Sequence, residues 1–436
     1  MNKKILQLAL PSIISNITVP LLGLIDVAIV GHLGATAYIG AVAVGGMLFN
    51  ILYWSFGFLR MGTSGLTSQA YGAGLLDESV RTLIRSLIVG IGIGVLFIAF
   101  QLIIENIAFY FIETSDRVRE LAVIYFRICI WGAPALLALY GFTGWFIGMQ
   151  NSRIPMFIAI AQNIINIVVS LCLVFLFDMK VEGVAIGTLV AQYGGLIMAV
   201  WLYRRYYKKL GFKQHWPNTL CRVAMKRFFS VNSDIFLRTL CLVSVSVFFT
   251  STGAGEGEVI LAVNTLLMQF FTLFSYVMDG FAYAGEALTG RYVGANDFLM
   301  LRRLIRLLFR WGFGLSLLFT LLYAFNGNAF IALLTDDEAL VAVSQEYYYW
   351  ALAIPLAGFS AFIWDGIFIG ATATRYMLFS MLIATVSFFI MFYFLHNQWA
   401  NHALWASFIV YLILRGVMQS FFGKSIFRVK ITRNID

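Results

Sequence analysis

The sequence predicts an all-α integral membrane protein: twelve transmembrane helices in two pseudo-symmetric six-helix bundles related by a parallel repeat. Three observations lead there. The 436 residues are 61% hydrophobic and only 12% charged, with a mean hydropathy of +0.86, whereas soluble domains are roughly half apolar with about a quarter charged. The apolar residues come in runs of about 20 or more, the length that crosses a hydrocarbon core as a helix. Short motifs of the first half also recur, in order, in the second. So few polar residues cannot cover this much apolar surface in water, so lipid is the solvent and soluble classes are excluded.

The spans follow from the chain in order. Lys3 and Lys4 precede an apolar run reaching about Val30. That start has the look of a signal peptide, but the run outlasts the usual 7–15-residue apolar region and Asp26 interrupts it, which predicts a retained first helix over 5–30. Further spans are expected at 39–71, 82–112, 118–148, 154–177, 182–206, 222–250, 258–290, 302–332, 341–370, 375–396 and 402–425. Lipid offers backbone groups no other partners, so each must be helical. Connections are short except for the polar, basic stretch from Tyr203 to Arg227, which contains Pro217. This yields an amino-terminal lobe over 1–206, a cytoplasmic linker over 207–221 and a carboxy-terminal lobe over 222–436. Cys129, Cys172, Cys221 and Cys241 lie in or beside apolar stretches and read as buried free thiols.

Charge orients the spans. With the amino terminus inside, most of the 30 Lys and Arg fall on cytoplasmic ends, among them Arg81, Arg153, Arg204, Arg205, Arg302, Arg303, Arg306 and Lys424. Outer loops carry acids instead, including Glu113, Asp116, Asp178, Glu256, Asp336 and Asp337. The positive-inside rule then predicts a multi-pass plasma (inner) membrane protein with both termini cytoplasmic. The net charge of +9 serves orientation and calls for no nucleic acid.

The repeat is visible at a spacing of 222 residues. Gly144-Trp-Phe-Ile-Gly-Met-Gln-Asn-Ser-Arg153 matches Gly366-Ile-Phe-Ile-Gly-Ala-Thr-Ala-Thr-Arg375, and Leu66-Thr-Ser-Gln-Ala-Tyr-Gly-Ala73 matches Leu288-Thr-Gly-Arg-Tyr-Val-Gly-Ala295. Six spans per half is an even number, so both halves enter the membrane in the same sense, the plan of two bundles flanking a central cleft in alternating access. Each chain contains both lobes, so a monomer suffices.

Ionisable groups at membrane depth are costly and point to function. Asp26 lies in the outer half of span 1, followed by Val-Ala-Ile-Val-Gly-His-Leu-Gly34. An isolated carboxylate there can take up and release a proton; the competing reading is a fixed partner for Arg60 on span 2. Pro11 and Pro20 precede it on the same helix, and each removes a backbone hydrogen bond, so span 1 can bend there. In the second lobe Asp279 and Asp365 either bind a cation or neutralise Arg238 and Arg415 as buried pairs; neither copies Asp26 in the repeat. Asn163, Asn166 and Ser170 follow helical spacing on span 5, and serve either to reach Asp26 or as ordinary interhelical contacts. Aromatic residues, 16% of the chain, and 15 Met can line a cleft for flat lipophilic cations. Gly-x-Ser-x-Gly, His-Glu-x-x-His, P-loop and Gly-x-Gly-x-x-Gly motifs are absent, and the four His fall at span ends or in the linker, with no His–acid pair evident. Catalysis and a bound cofactor are therefore not expected.

Twelve spans, the six-span repeat and Leu24-Ile-Asp-Val-Ala-Ile-Val-Gly-His-Leu-Gly34 resemble the multidrug and toxic compound extrusion family over essentially the whole chain. Asp279-Gly-Phe-Ala-Tyr-Ala-Gly-Glu-Ala-Leu-Thr-Gly290 with Asp365-Gly-Ile-Phe-Ile-Gly370 is similar to its DNA-damage-inducible, DinF-like branch. The resemblance implies H+- or Na+-coupled antiport of cationic or amphipathic small molecules, with Asp26 as the coupling acid and Pro11 as the bend. It further implies that Tyr125, Asn166 and Thr188 are the partners of Asp26. One departure stands out: the family's Asn-x-x-x-Asp on span 5 is Asn166-Ile-Val-Val-Ser170, so a second acid is missing and Ser170 cannot serve as an anion. The alternative within the same superfamily is a lipid-linked oligosaccharide flippase; a membrane-embedded acyltransferase and a non-transporting receptor or scaffold fit the residues less well.

Overall fold

The computed structural model describes residues 1–32, 36–112, 114–210, 219–335 and 337–428. The first half comprises α1 (Asn2–Gly31), α2 (Thr36–Ser55), α3 (Phe58–Gly72), α4 (Leu76–Ala99), α5 (Gln101–Phe111), α6 (Asp116–Cys129), α7 (Ala133–Gly148), α8 (Arg153–Phe175) and α9 (Val181–Tyr207). The second comprises α10 (Arg222–Gly255), α11 (Glu258–Gly294), α12 (Phe298–Leu334), α13 (Glu338–Gly370), α14 (Thr374–Trp399) and α15 (Asn401–Phe422). Among the described residues these helices supply 12 segments long and apolar enough to cross a membrane. Large apolar side chains such as Leu24, Phe325 and Phe394 stand on the outside, as expected where lipid is the solvent.

Three spans differ from a single uninterrupted helix. Residues 39–71 divide at Phe56 and Gly57 into α2 and α3, where Phe56 and Gly57 N–H bond back only three residues, to Tyr53 and Trp54. The expected span 82–112 is α4 followed by a separate α5. Residues 118–148 pass through a 3-10 turn, Ile130–Gly132, before α7, because Pro134 has no N–H with which to continue the α-helical ladder. In contrast, α1 is helical throughout despite Pro11 and Pro20.

The chain divides into two compact units, one of residues 14–229 and one of residues 1–13 with 230–436. This differs from the expected division at 206 and 222, because packing rather than chain position assigns the ends. The start of α1 packs on α11, where a Cβ at Gly280 would meet Ile13 and, at 2.9 Å, the Ala9 carbonyl. The start of α10 instead packs with the first unit: Phe228 is buried against Leu59 and Leu137, and Arg227 donates to Gln69 Oε1 at 2.9 Å. Residues 211–218 of the expected linker, including Lys213 and Pro217, lie outside the described residues. The linker's described end is held where Arg85 Nε donates to the Thr219 carbonyl at 2.6 Å.

The repeat extends to the backbone. Left-handed φ angles occur at Gly74 and Asn296, at Gln150 and Thr372, and at Asp178 and Ala400, each pair 222 residues apart. The turns after α3 and α11 close identically: Leu75 N–H reaches the Ala70 carbonyl and Gly74 N–H that of Tyr71, as Asp297 reaches Tyr292 and Asn296 reaches Val293. These are Schellman closures, which place one left-handed residue after the helix. The Gly-x-x-x-Gly motifs share a purpose too. A Cβ at Gly144 would meet the Arg60 carbonyl and one at Gly366 the Ala282 carbonyl; Gly148 and Gly370 face the Ser64 and Glu286 carbonyls. In lipid, close backbone approach through small residues is what binds helices together. Each unit therefore carries the same clamp, α7 on α3 and α13 on α11.

Candidate functional site

In the unit of residues 14–229, four helices bring polar side chains together inside an apolar shell. Glycines make this possible. A Cβ at Gly187 would collide with Ser170 Oγ, so α9 and α8 approach closely at the residue beside Thr188. Gly45 of α2 likewise has no room for a Cβ against the Tyr125 ring of α6. Phe49, Tyr53, Phe126, Cys129, Val184 and Ala185 complete a buried apolar cluster with Tyr125, Ile29 and Val30.

Asp26 is buried here, 5% exposed, as are Tyr125 at 5% and Asn166 and Ser170 at 0%. Asn166 Nδ2 donates to Thr188 Oγ1 at 3.0 Å, and the Thr188 hydroxyl donates to Asp26 Oδ2 at 3.4 Å. Asn166 also lies within hydrogen-bond reach of the Asp26 carboxyl, and Tyr125 within reach of Thr188 and Cys129. Asp26 Oδ1, Asn166 Oδ1 and Ser170 Oγ are buried without a hydrogen-bond partner among the described residues. Burying a carboxylate oxygen this way is costly. The arrangement can satisfy it by accepting a proton or a small cation at Oδ1 without disturbing the bond at Oδ2.

The sequence-derived residues Asp26, Tyr125, Asn166 and Thr188 therefore meet, with Ser170 one turn from Asn166 on the same face of α8. The alternative reading of Asp26 as the partner of Arg60 is not what the structure contains, since the carboxyl is held by neutral groups. Asn163 has a different part: its Nδ2 donates to the Thr18 carbonyl at 2.7 Å, tying α8 to α1 just before Pro20. Arg127, also at membrane depth, is engaged bidentately by Glu105, at 2.8 Å and 2.9 Å.

The acids of the second unit are placed differently. Asp365 of α13 is ion-paired to Arg238 of α10 and to Arg415 of α15, the latter at 2.8 Å, and Gln419 Nε2 donates to its other oxygen at 2.6 Å. Asp365 and Arg238 are 6% exposed, and Arg415 is 2%. Of the two readings left open by the sequence, neutralisation of buried arginines is the one present. Asp279 on α11 lies apart from that cluster, partly buried near Tyr276. Sequence inspection missed Gln419; its signal was the four-residue spacing from Arg415, which puts both on one helix face.

Two further expectations need correction. The cysteines are all free, but only Cys129 is fully buried. His–acid pairs do form: His402 Nε2 lies 3.4 Å from Glu346 and His396 Nδ1 3.9 Å from Glu256, outside whose helices burial raises the Glu256 carboxyl against the opposing effect of His396. The residues are far apart in sequence, which is why pattern inspection did not pair them. His402 is held on both sides: its second ring nitrogen is met by Trp350 Nε1 at 3.2 Å and Tyr349 OH at 3.1 Å.

Comparison with known proteins agrees with this architecture. The MatE family model matches residues 11–172 and again 235–395, once in each half. The chain is 38% identical to DNA damage-inducible protein F of Escherichia coli K12 over 417 residues, 95% of this chain and 90% of that protein. It is 21% identical to a probable multidrug resistance protein NorM of Photorhabdus laumondii, over 78% of this chain and 76% of that one. A crystal structure of a MATE protein in the bent conformation superposes with a TM-score of 0.86 at 19% identity, covering 98% of this chain and 95% of that one. The chain belongs to the multidrug and toxic compound extrusion (MatE) family of membrane transporters, in its DinF-like branch.

Proposed function

We propose that this transporter is a secondary antiporter that exports drug-like organic cations in exchange for H+ or Na+ by alternating access, with Asp26 as the exchanging group. The observation that carries the reading is a buried carboxylate at membrane depth, held by neutral partners, with one oxygen unpartnered among the described residues. Ionised, Asp26 accepts from Thr188 at Oδ2. A proton on Oδ1 neutralises it while that bond persists. For Na+, Asn166 Oδ1 and Ser170 Oγ supply further oxygens, and Tyr125 helps orient Thr188. A charge that serves either the coupling ion or a cationic substrate, but not both, makes their binding mutually exclusive, and that coupling is reciprocal. Pro11 and Pro20 give α1, which carries Asp26, two points with missing hydrogen bonds at which to bend.

The substrate class rests on the aromatic and Met content and on relatives named for multidrug resistance or detoxification. The lipid-linked oligosaccharide flippase has less support, because Arg238 and Arg415 are engaged by Asp365 rather than free to meet a pyrophosphate. The same reading has the protein in the plasma (inner) membrane with both termini cytoplasmic, working as a monomer, and the excess of Lys and Arg at the expected cytoplasmic ends supports that orientation.

The test is transport of a fluorescent organic cation by the full chain in liposomes, under a pH gradient and a Na+ gradient in separate runs, for wild type and Asp26→Asn. Gradient-driven transport that vanishes in the variant supports the assignment. Transport that survives in the variant removes Asp26 from the role. Failure of both gradients to drive any cation in the wild type would turn attention to the flippase.

A further inference from the structure

We propose a second binding site, for a phosphate anion, at the end of the 230–436 unit where α12 begins and α15 ends. A cavity of about 280 Å³ there is lined by Arg302 and Arg306 of α12, Trp364 of α13, Ser420 of α15, and Gly423 and Lys424 of the turn that follows. Its size falls just below the roughly 300–1,000 Å³ range of small-molecule sites, suiting a headgroup better than a drug.

Three cations and no acid line it. Arg306 and Lys424 are exposed and make no ion pair among the described residues. Elsewhere in this unit arginine at depth is neutralised, as Arg238 and Arg415 are by Asp365. Two exposed cations without a counter-charge among the described residues, facing one pocket, call for an external anion.

The walls are built rather than accidental. Trp364 Nε1 donates to Ser420 Oγ at 2.7 Å, and Ser420 Oγ donates to the Gly416 carbonyl at 2.7 Å, which fixes the hydroxyl and leaves an indole floor. Phe309 packs edge-on against that indole, with ring centroids 5.3 Å apart. Gly423 is required because a Cβ would collide with the Trp364 ring, so the turn carrying Lys424 closes directly over it. The pocket lies at the helix ends richest in Lys and Arg, where an indole beside basic residues matches a membrane interface. Basic pockets between transmembrane helices on that side bind anionic headgroups. The phosphodiester of an anionic lipid and free inorganic phosphate share the chemistry, and the test distinguishes them.

Native mass spectrometry of the detergent-purified full chain would be run with phosphatidylglycerol, phosphatidylcholine and inorganic phosphate as probes. The variants are the double replacement Arg306→Gln with Lys424→Gln, and Arg310→Gln, an exposed neighbour on α12 outside the pocket that serves as the folding and charge control. The expectation is one phosphatidylglycerol retained per chain in preference to phosphatidylcholine. At about 1 kcal/mol per basic residue near a membrane surface, the double replacement weakens retention about thirtyfold, while Arg310→Gln leaves it unchanged. Retention of phosphate, lost in the same double variant, with no preference for phosphatidylglycerol, assigns the site to the free anion. Equal retention of both lipids with no phosphate bound, or anion retention that survives the double replacement, overturns the proposal.

Discussion

Asp26 and Asp365 are the same residue type at similar burial, yet their surroundings are opposite. Asp26 is held by a threonine hydroxyl and an asparagine amide and keeps one oxygen without a partner among the described residues. Asp365 is met by two guanidinium groups and a glutamine amide, and both its oxygens are engaged. A carboxylate that already neutralises two buried cations cannot release its charge without stranding them. One held only by dipoles can change its occupant at little structural cost. Burial is therefore similar at the two acids, and the number of fixed counter-charges around each is what sets them apart.

This contrast breaks most visibly at Asp365. Asp365→Asn keeps the shape but leaves Arg238 and Arg415 without their anion, and should cost about 3–5 kcal/mol in denaturant unfolding of the detergent-purified protein. Adding Arg238→Gln should restore part of it. A stability within error of wild type would mean that the cluster is not the structural lock described.

The shared scaffold gives the next effect. If the glycine clamps are equivalent, Gly144→Ala and Gly366→Ala should each cost about 1–3 kcal/mol by the same unfolding titration, since each Cβ meets a backbone carbonyl that cannot move away. Markedly unequal losses would show that the two units use the motif differently. Asp26→Asn should be the smallest change, within about 1 kcal/mol, because the amide preserves the neutral hydrogen-bonding around it. The expected order is therefore Asp365 largest, the two glycines alike, and Asp26 least, while transport suffers most at Asp26.

Much of this was legible in the chain. Span length and apolar composition specify the helices because lipid leaves the backbone no alternative, and the Gly144 and Gly366 motifs announced the repeat. Asp26, Asn166 and Ser170 could be singled out as polar residues at membrane depth. Tyr125 and Thr188 required the family resemblance, since nothing in their local sequence points to Asp26. The fate of Asp365 was undecidable in sequence because Arg238, Arg415 and Gln419 come from two other helices, distant in the chain. The break before α7 had a local signal in Pro134, but the assignment of residues 1–13 to the second unit depended on Gly280, far along the chain.

Whether Asp26 surrenders an ion when a cationic substrate binds can be read straight from ion release. Tetraphenylphosphonium would be added to detergent-purified wild type and Asp26→Asn in weak buffer, with a pH dye and a Na+ electrode reading the solution. Release of H+ or Na+ is expected from the wild type and none from the variant. Equal release from both would contradict this role for Asp26 and place the exchanging group elsewhere.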